Sequence, residues 1–156
     1  MILDTRPPDF EPVIEVVGCY VMVGDEFLML QRNDDKVHGG QWCMPAGKVD
    51  DGEPIDIAVA RELFEETAIT IDTSASQFYR TLDVRNNGYD ILFHMFSADF
   101  EFKPDVVLEN AEHQNYQWVT YDQAMKLDCV HDFHEHTTMF FKDYNKPNED
   151  RDKTSL

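Results

Sequence analysis

The chain concentrates carboxylates in one stretch whose spacing favours a helix. Glu62, Glu65 and Glu66 stand at positions i, i+3 and i+4, so a helix brings them within an arc of about 100°. Oxygen ligands suit hard divalent cations, and a bound cation would offset the repulsion among these acids. The opposite side of the helix is expected to be apolar and to pack on the core, and comprises Ile57, Ala60 and Phe64. The pattern predicts an amphipathic helix with a cation-binding side.

A run of acids is more often a solvated helix face, and this is the alternative explanation. The flanking residues argue against it, because Gly47, Glu53 and Arg61 precede the acids at fixed intervals. With each residue type used at about 7%, such a combination would arise by chance in the chain with a probability below about 10⁻⁴. The spacing therefore indicates a built site.

These residues resemble the Nudix box, G-x5-E-x7-R-E-U-x-E-E-x-G-U with U aliphatic, between Gly47 and Ile69. One fixed position differs, since Ala68 stands where the family has its second glycine. The segment from Gly40 to Gly47 resembles the G-x-W-x-x-P-x-G pattern that precedes the box in MutT-like members. With the order of strands and helices, the resemblance extends from about residue 12 to residue 144.

The resemblance implies an α/β fold, the Nudix-type α/β/α sandwich with a mixed β-sheet, and hydrolysis of a diphosphate linkage. It implies Mg²⁺ as cofactor, with Mn²⁺ as an alternative, held by Glu62, Glu65, Glu66 and the backbone carbonyl of Gly47. Glu62 is expected as a metal ligand, as a general base or as both. The family uses the arginine at Arg61 as a clamp that orients the acids, although its place beside Glu62 points it to a different side of the helix.

Further candidates lie outside the acidic stretch. Arg32, at the end of a predicted strand, and Lys48, next to Gly47, could contact substrate phosphate. Glu112 resembles a loop glutamate that completes the metal site or acts as base in some triphosphate-hydrolysing relatives. For each, the alternative is a charge in solvent. Glu53 is expected to support the site without binding metal.

Ala68 bears on the end of the predicted helix. Glycine at that position permits a left-handed backbone, and alanine in the same conformation costs on the order of 1 kcal/mol. Because Ala68 is not a metal ligand, we expect a small effect on loop geometry and none on catalysis.

Histidine and tryptophan residues provide weaker signals. His131, His134 and His136 cluster near the C-terminus, where a helix would place the first two on one face. They could hold a transition metal. The resemblance to MutT-like proteins, in which the last helix lines the base pocket, implies that they could instead line such a pocket. Trp42 and Trp118 could stack on a base, but half-buried core positions are the commoner role of tryptophan.

The elements expected around the acids follow from apolar patterning and turn signals. An apolar strand from Pro12 to Val23 and a strand from Glu26 to Arg32 flank the turn at Gly24. The helix is expected from Pro54 to about Glu66, followed by a β pattern at residues 69–71. The remaining elements are strands at 78–85, 89–100 and 116–119, joined in part by an Asn-Gly hairpin turn, and helices at 121–127 and 130–144.

Composition limits the class of protein. A length of 156 residues suits a single domain, with a core from about 12 to 144 and a flexible tail over 145–156. A net charge of −18 argues against stable nucleic-acid binding. No segment is apolar enough to span a membrane or to act as a signal peptide, so a cytoplasmic location is expected. The three cysteines, Cys19, Cys43 and Cys129, show no zinc spacing and are expected to be reduced.

The sequence thus predicts an enzyme acting on a small nucleotide, as a monomer or homodimer. The favoured reaction converts a nucleoside triphosphate to the monophosphate and pyrophosphate. A dinucleoside polyphosphate, ADP-ribose or a nucleotide sugar is the alternative substrate. A non-catalytic nucleotide-binding module is disfavoured because the acids of the motif are all present.

Overall fold

The computed structural model describes residues 1–146, and within them the chain forms seven strands and three helices. The strands are β1 (Pro12–Val23), β2 (Glu26–Arg32), β3 (Trp42–Cys43), β4 (Ala46–Lys48), β5 (Ser76–Asn86), β6 (Tyr89–Asp99) and β7 (His113–Thr120). The helices are α1 (Ile55–Thr67), α2 (Tyr121–Ala124) and α3 (Phe133–Tyr144). The tail predicted over 145–156 lies largely outside the described residues.

A mixed sheet organises these elements. Strands β3, β2, β1, β6 and β5 lie in this order, while β4 pairs with β1 and β7 pairs with β2. The pairing of β1 with β6 is parallel and the other pairings are antiparallel. The long strand β1 therefore runs through the middle of the sheet, where its apolar, β-branched sequence is covered on both faces.

Two apolar clusters cover the two faces of the sheet. Alternate residues of β1 divide between them, so Val17 and Val21 face α1 while Tyr20 and Met22 face α3. Three aromatic residues of α3 are buried on the second side, as predicted: Phe133, Phe140 and Phe141. This layering confirms the expected α/β/α sandwich.

Hairpins and strand bounds agree closely with the sequence prediction. β1 and β2 have the predicted limits, and the turn between β5 and β6 has Asn87 at φ 48° and Gly88 at φ 85°. Two consecutive residues with positive φ are the signature of the turn that matches the strand twist.

The predicted bounds differ in several places, and β5 also extends beyond the predicted 78–85. Residues 69–71 form no strand, although Ile69 and Ile71 are buried on either side of exposed Thr70. The proline at 54 caps α1 with an extended backbone and lies one residue before the helix. Strand β7 begins at residue 113 instead of 116. Helix α3 begins at residue 133 instead of 130, and α2 ends at residue 124 instead of 127. Pairing with β2 extends β7, and such tertiary contacts are invisible to local patterning.

The apolar side predicted for α1 is wrong for Ile57 and Phe64, while Ala60 is half-buried against the apolar cluster. Ile57 and Phe64 are 46% and 56% exposed, whereas Val59, Leu63 and Glu66 are buried against the sheet. Glu66 thus lies on the core-facing side of the helix, whereas the side chain of Glu65 is 55% exposed. The position of the sheet against α1 decides which residues are buried, and helical spacing does not show that position.

Helix α1 ends in the conformation expected from its sequence. Ala68 has φ 61° and ψ 11°, and its N–H bonds the carbonyl of Phe64 at the end of the helix. Among the described helices, none combines the length and apolar character needed to cross a bilayer.

Candidate active site

Arg61 is the centre of the acidic site. Its Nε and Nη2 donate to the two carboxylate oxygens of Glu53 at 2.8 and 2.9 Å, and Nη2 also donates to the backbone carbonyl of Lys48 at 2.9 Å. Nη1 donates to Glu62 at 2.9 Å and to Glu65 at 3.2 Å. The prediction that Arg61 points to a different side from Glu62 is therefore wrong for its guanidinium, because the long side chain folds back over the acids.

Glu53 anchors this arginine. The two parallel hydrogen bonds from Arg61 favour the charged carboxylate and lower the pKa of Glu53 to about 2. Its oxygens are committed to Arg61 and to the backbone N–H of Asp50. Glu53 therefore holds Arg61 in place, and its expected role of supporting the site without binding metal stays a prediction.

Gly47 makes room for Glu62. A Cβ at Gly47 would overlap the carboxyl carbon and both oxygens of Glu62, so only glycine allows this close approach. Partial burial disfavours the charged form and raises the pKa of Glu62, against the hydrogen bond from Arg61. Strand β4 and helix α1 meet at this contact.

Glu66 is the most buried of the acids. Its side chain is 9% exposed, and one oxygen, Oε2, is sealed from solvent with no hydrogen-bond partner in the protein. Burial, followed by the nearby charge of Glu62, raises the pKa of Glu66 well above its ordinary value. A backbone hydrogen bond from Ala46 acts in the opposite direction.

His113 faces Glu66 and has an unusual environment that the sequence did not reveal. Its Nδ1 lies 3.8 Å from Glu66 Oε2 and is also buried without a partner, while Nε2 lies 3.8 Å from the sulfur of Cys43. Burial and the nearby Arg32 lower the pKa of His113 to about 4, so the ring is neutral at pH 7. The position beside Glu112 was the only sequence signal for it.

The other predicted site residues surround the acids. Arg32 pairs across the sheet with His113, and its Nε donates to the carbonyl of Val37 at 2.8 Å. Lys48 is exposed on β4. Glu112 lies 3.9 Å from the ammonium of Lys36, and its charge contributes to the raised pKa of Glu66. Their roles in binding or catalysis stay predictions.

The donor set fits a hard divalent cation. Carboxylate oxygens converge on the Gly47 loop, and the unpartnered Glu66 Oε2 is a buried acceptor that lacks a positive partner. Across residues 1–146, no three acidic, histidine or cysteine side chains already stand together as a ligand set. The carboxylates of Glu62 and Glu65 are instead turned to Arg61, which supplies the neutralising charge.

A cavity of 190 Å³ lies on the other side of β4, between the sheet and the start of α3. Its walls are mostly apolar and aromatic, with Met44, Ile91, Phe93 and Phe133 among them. Polar side chains enter from Asn86, His131, Asp132 and His136. A few polar groups in an apolar hollow are typical of small-ligand sites.

Strand β4 connects the cavity to the acids. The side chain of Ala46 lines the cavity, its backbone bonds the Glu66 carboxylate, and Gly47 lies against Glu62. Because side chains alternate along a strand, Lys48 lies on the cavity side with Ala46. Strand β4 is therefore the wall shared by the cavity and the acidic site.

The histidine cluster is rearranged relative to the helical spacing assumed for it. His131 precedes α3 and is exposed, His134 is exposed on α3, and His136 is buried. His131 and His136 line the cavity, which favours the pocket alternative over a metal site. Trp42 is buried core, and Trp118 packs against the apolar cluster under α1.

The NUDIX domain model matches residues 13–141, which is most of the chain. The chain belongs to the Nudix family. This confirms the resemblance noted in the sequence, the fold and the assignment as a hydrolase.

Two individual relatives support the assignment of this chain to the Nudix family. The bis(5'-nucleosyl)-tetraphosphatase [asymmetrical] of Caenorhabditis elegans is 34% identical over 104 residues, covering 65% of this chain and 72% of that protein. The crystal structure of a MutT protein from Methanosarcina mazei Go1 has a TM-score of 0.74 and 26% identity, covering 87% of this chain and 98% of that one.

A third relative illustrates the breadth of the fold. The bifunctional NMN adenylyltransferase/ADP ribose pyrophosphatase of Francisella tularensis, complexed with AMP and a manganese ion, has a TM-score of 0.71. It is 22% identical, covering 86% of this chain and 42% of that one, which shows the fold alone. Other curated relatives are longer, and the chain spans 22% of one and 31% of another.

Proposed function

We propose that this Nudix hydrolase converts nucleoside triphosphates to nucleoside monophosphates and pyrophosphate in a reaction that requires a divalent cation, Mg²⁺ or Mn²⁺. The observation that carries the proposal is the continuity between the acidic site and the cavity through β4. An engineered apolar cavity of about 150 Å³ binds benzene, so 190 Å³ suits one slightly larger ring system. A single base in the cavity would place its phosphates beside the acids.

In this proposal Glu62, Glu65, Glu66 and the carbonyl of Gly47 hold the cation. When bound, the cation neutralises charge on the diphosphate and activates water for attack. Arg61 fixes Oε1 of Glu62, which leaves Oε2 to accept a proton from the attacking water.

The residues around the acids have supporting roles in the same proposal. Arg32 and Lys48 bind the phosphates, as their positions on either side of the acids favour, and Glu112 assists as a base or a further ligand. A cytoplasmic location fits the three free cysteines, Cys19, Cys43 and Cys129.

A dinucleoside polyphosphate is the second candidate substrate. It is favoured by the similarity to the tetraphosphatase of Caenorhabditis elegans, of which the chain covers 72%. With one cavity of this size beside the acids, the second nucleoside would remain outside it. ADP-ribose and nucleotide sugars complete the set to be tested.

A product-release screen tests the reaction. Nucleoside triphosphates, dinucleoside polyphosphates, ADP-ribose and nucleotide sugars are incubated with Mg²⁺, Mn²⁺ or EDTA. Phosphate is then measured with added pyrophosphatase or phosphatase. Chelator-sensitive phosphate that needs pyrophosphatase supports the proposed reaction, and a signal that needs phosphatase favours the second candidate. Ligand binding without turnover would instead indicate a binding module.

Glu66→Gln is the variant that tests the site. We expect kcat to fall at least about a hundredfold, because a neutral amide is a poor ligand for a hard cation. Glu135→Gln, an exposed change on α3, is the matched control and should retain turnover. Intact cation-dependent turnover in Glu66→Gln would refute the assignment of the acids.

A further inference from the structure

Three buried residues form a hydrogen-bond chain that ends at the cavity. The hydroxyl of Tyr20 lies 2.7 Å from Nδ1 of His136 and 3.0 Å from Oγ1 of Thr137. Tyr20 and Thr137 are fully buried and His136 is 6% exposed. Within the described residues, Thr137 has no other side-chain partner. The three groups must therefore satisfy their hydrogens among themselves.

Only one arrangement leaves no hydroxyl hydrogen buried without an acceptor. If Thr137 donates to the Tyr20 oxygen, Tyr20 donates to Nδ1 of His136, and the ring carries its proton on Nε2. In the reverse arrangement, Nδ1 donates to Tyr20 and Tyr20 donates to Thr137, whose own hydroxyl hydrogen is then buried without an acceptor. An unsatisfied buried donor is costly, so the first arrangement is favoured. The chain of hydroxyls thus fixes the histidine tautomer.

The proton on Nε2 is directed to the cavity. This nitrogen has no partner within residues 1–146, and it is absent from the atoms that are sealed from solvent. Phe93 and Phe133, which also line the cavity, hold the ring edge-on with centroids 5.1 and 5.3 Å away. Burial lowers the pKa of His136 to about 3, so the ring stays neutral and keeps one donor.

We propose that His136 is a specificity-determining residue, whose fixed Nε2–H selects a base with a carbonyl oxygen over one with an amino group at the same ring position. An amino group would place two donors against each other, whereas a carbonyl accepts. The side-chain amide of Asn86 has no partner within the described residues. It can turn either its oxygen or its nitrogen to the rest of the base edge. The base preference rests on the proposed function, whereas the tautomer does not.

Nuclear magnetic resonance tests the tautomer without any substrate. Long-range proton–nitrogen spectra of the ¹⁵N-labelled protein distinguish a protonated Nε2 from a protonated Nδ1. We expect Nε2–H at His136 in the wild type, and loss of that single tautomer in Tyr20→Phe. Tyr79→Phe is the control, because Tyr79 also bonds α3, through Asp143, but away from His136. A protonated Nδ1 in the wild type would overturn the proposal.

Matched nucleotides test the selection. Inosine and adenosine differ by a carbonyl and an amino group at one ring position, and so do uridine and cytidine. We expect the wild type to favour the carbonyl member of at least one pair. In His136→Phe, kcat/KM for that member should fall about tenfold to a hundredfold, the range for loss of one buried hydrogen bond, and the preference should flatten. An unchanged preference would overturn the proposal.

Binding separates this proposal from the proposed reaction. If the wild type cleaves none of the triphosphates, calorimetry with the matching monophosphates still reports the preference for the carbonyl member. Should His136→Phe fail to fold, Tyr20→Phe provides the same comparison, because it keeps the imidazole but removes the group that fixes its tautomer. Absence of binding by both members of both pairs would refute the role of His136 while leaving the cleavage of other substrates intact.

Discussion

The acidic site and the cavity lie on opposite sides of β4, and they are built in different ways. The acids and Arg61 come from one short stretch, from Gly47 to Glu66, and are held by charged hydrogen bonds. The cavity draws on residues from Ile2 to His136 and is mostly apolar, with a few polar groups. The acidic site therefore depends on charge balance within one segment, and the cavity depends on packing between distant segments.

Removing the central arginine should have the largest effect. In Arg61→Ala, Glu62 and Glu65 lose the hydrogen-bond donor that they share. Glu53 loses its two hydrogen bonds from Arg61. We expect kcat to fall about a hundredfold to a thousandfold and Tm to fall as well. Steady-state kinetics and thermal unfolding measure the two effects.

Arg6 provides the control for this prediction. It also binds a carboxylate with two hydrogen bonds, to Asp83, but lies outside the acidic site. Arg6→Ala should retain turnover. Equal kinetics in Arg61→Ala and Arg6→Ala would mean that the charge network does not organise the acids.

A methyl group at the loop should separate activity from stability. Gly47→Ala displaces the Glu62 carboxylate, and we expect kcat to fall about a hundredfold. In Gly24→Ala the added methyl meets open space at φ +61°, so stability falls by about 1 kcal/mol while turnover is kept. For both variants, steady-state kinetics measures turnover and thermal unfolding measures stability. Retained turnover in Gly47→Ala would refute the packing of Glu62 on the loop.

Filling the cavity should act on substrate binding more than on the chemical step. Val16 lines the cavity, and Val16→Phe would reduce its volume. We expect KM to rise about tenfold and kcat to fall less, because the acids lie beyond β4. Val13→Phe, on the same strand but 70% exposed, is the control. A fall in kcat without a change in KM would contradict the division of roles between cavity and acids.

The smallest effect is expected at the end of α1. Ala68 has φ 61°, so Ala68→Gly should stabilise the protein by about 0.5–1 kcal/mol and raise Tm by about 1–4 °C. Turnover should be unchanged. Ala75→Gly, in a loop without positive φ, should instead lower Tm because glycine is more flexible when unfolded. Thermal unfolding compares the two, and a lower Tm in Ala68→Gly would contradict the strain argument.

The acidic site could be read from the sequence because its partners are close in the chain. Helical periodicity brings Glu62, Glu65 and Glu66 together, and the two glycine positions of the motif mark the close approach at Gly47 and the left-handed backbone that Ala68 adopts. The orientation of α1 could not be read, because the burial of Glu66 with Leu63 depends on where the sheet lies. Periodicity reports which residues share a side, but not which side meets the core.

The amino-acid sequence was enough to predict the family, the order of the long strands and the helices, and the residues that carry negative charge at the site. Local propensity and spacing act within a few residues of each other, so they are visible without a structure. Only the tertiary structure decided that His113 faces Glu66 and that Tyr20 and Thr137 orient His136 toward a cavity. These contacts join residues up to 117 positions apart, and no local pattern encodes such pairings.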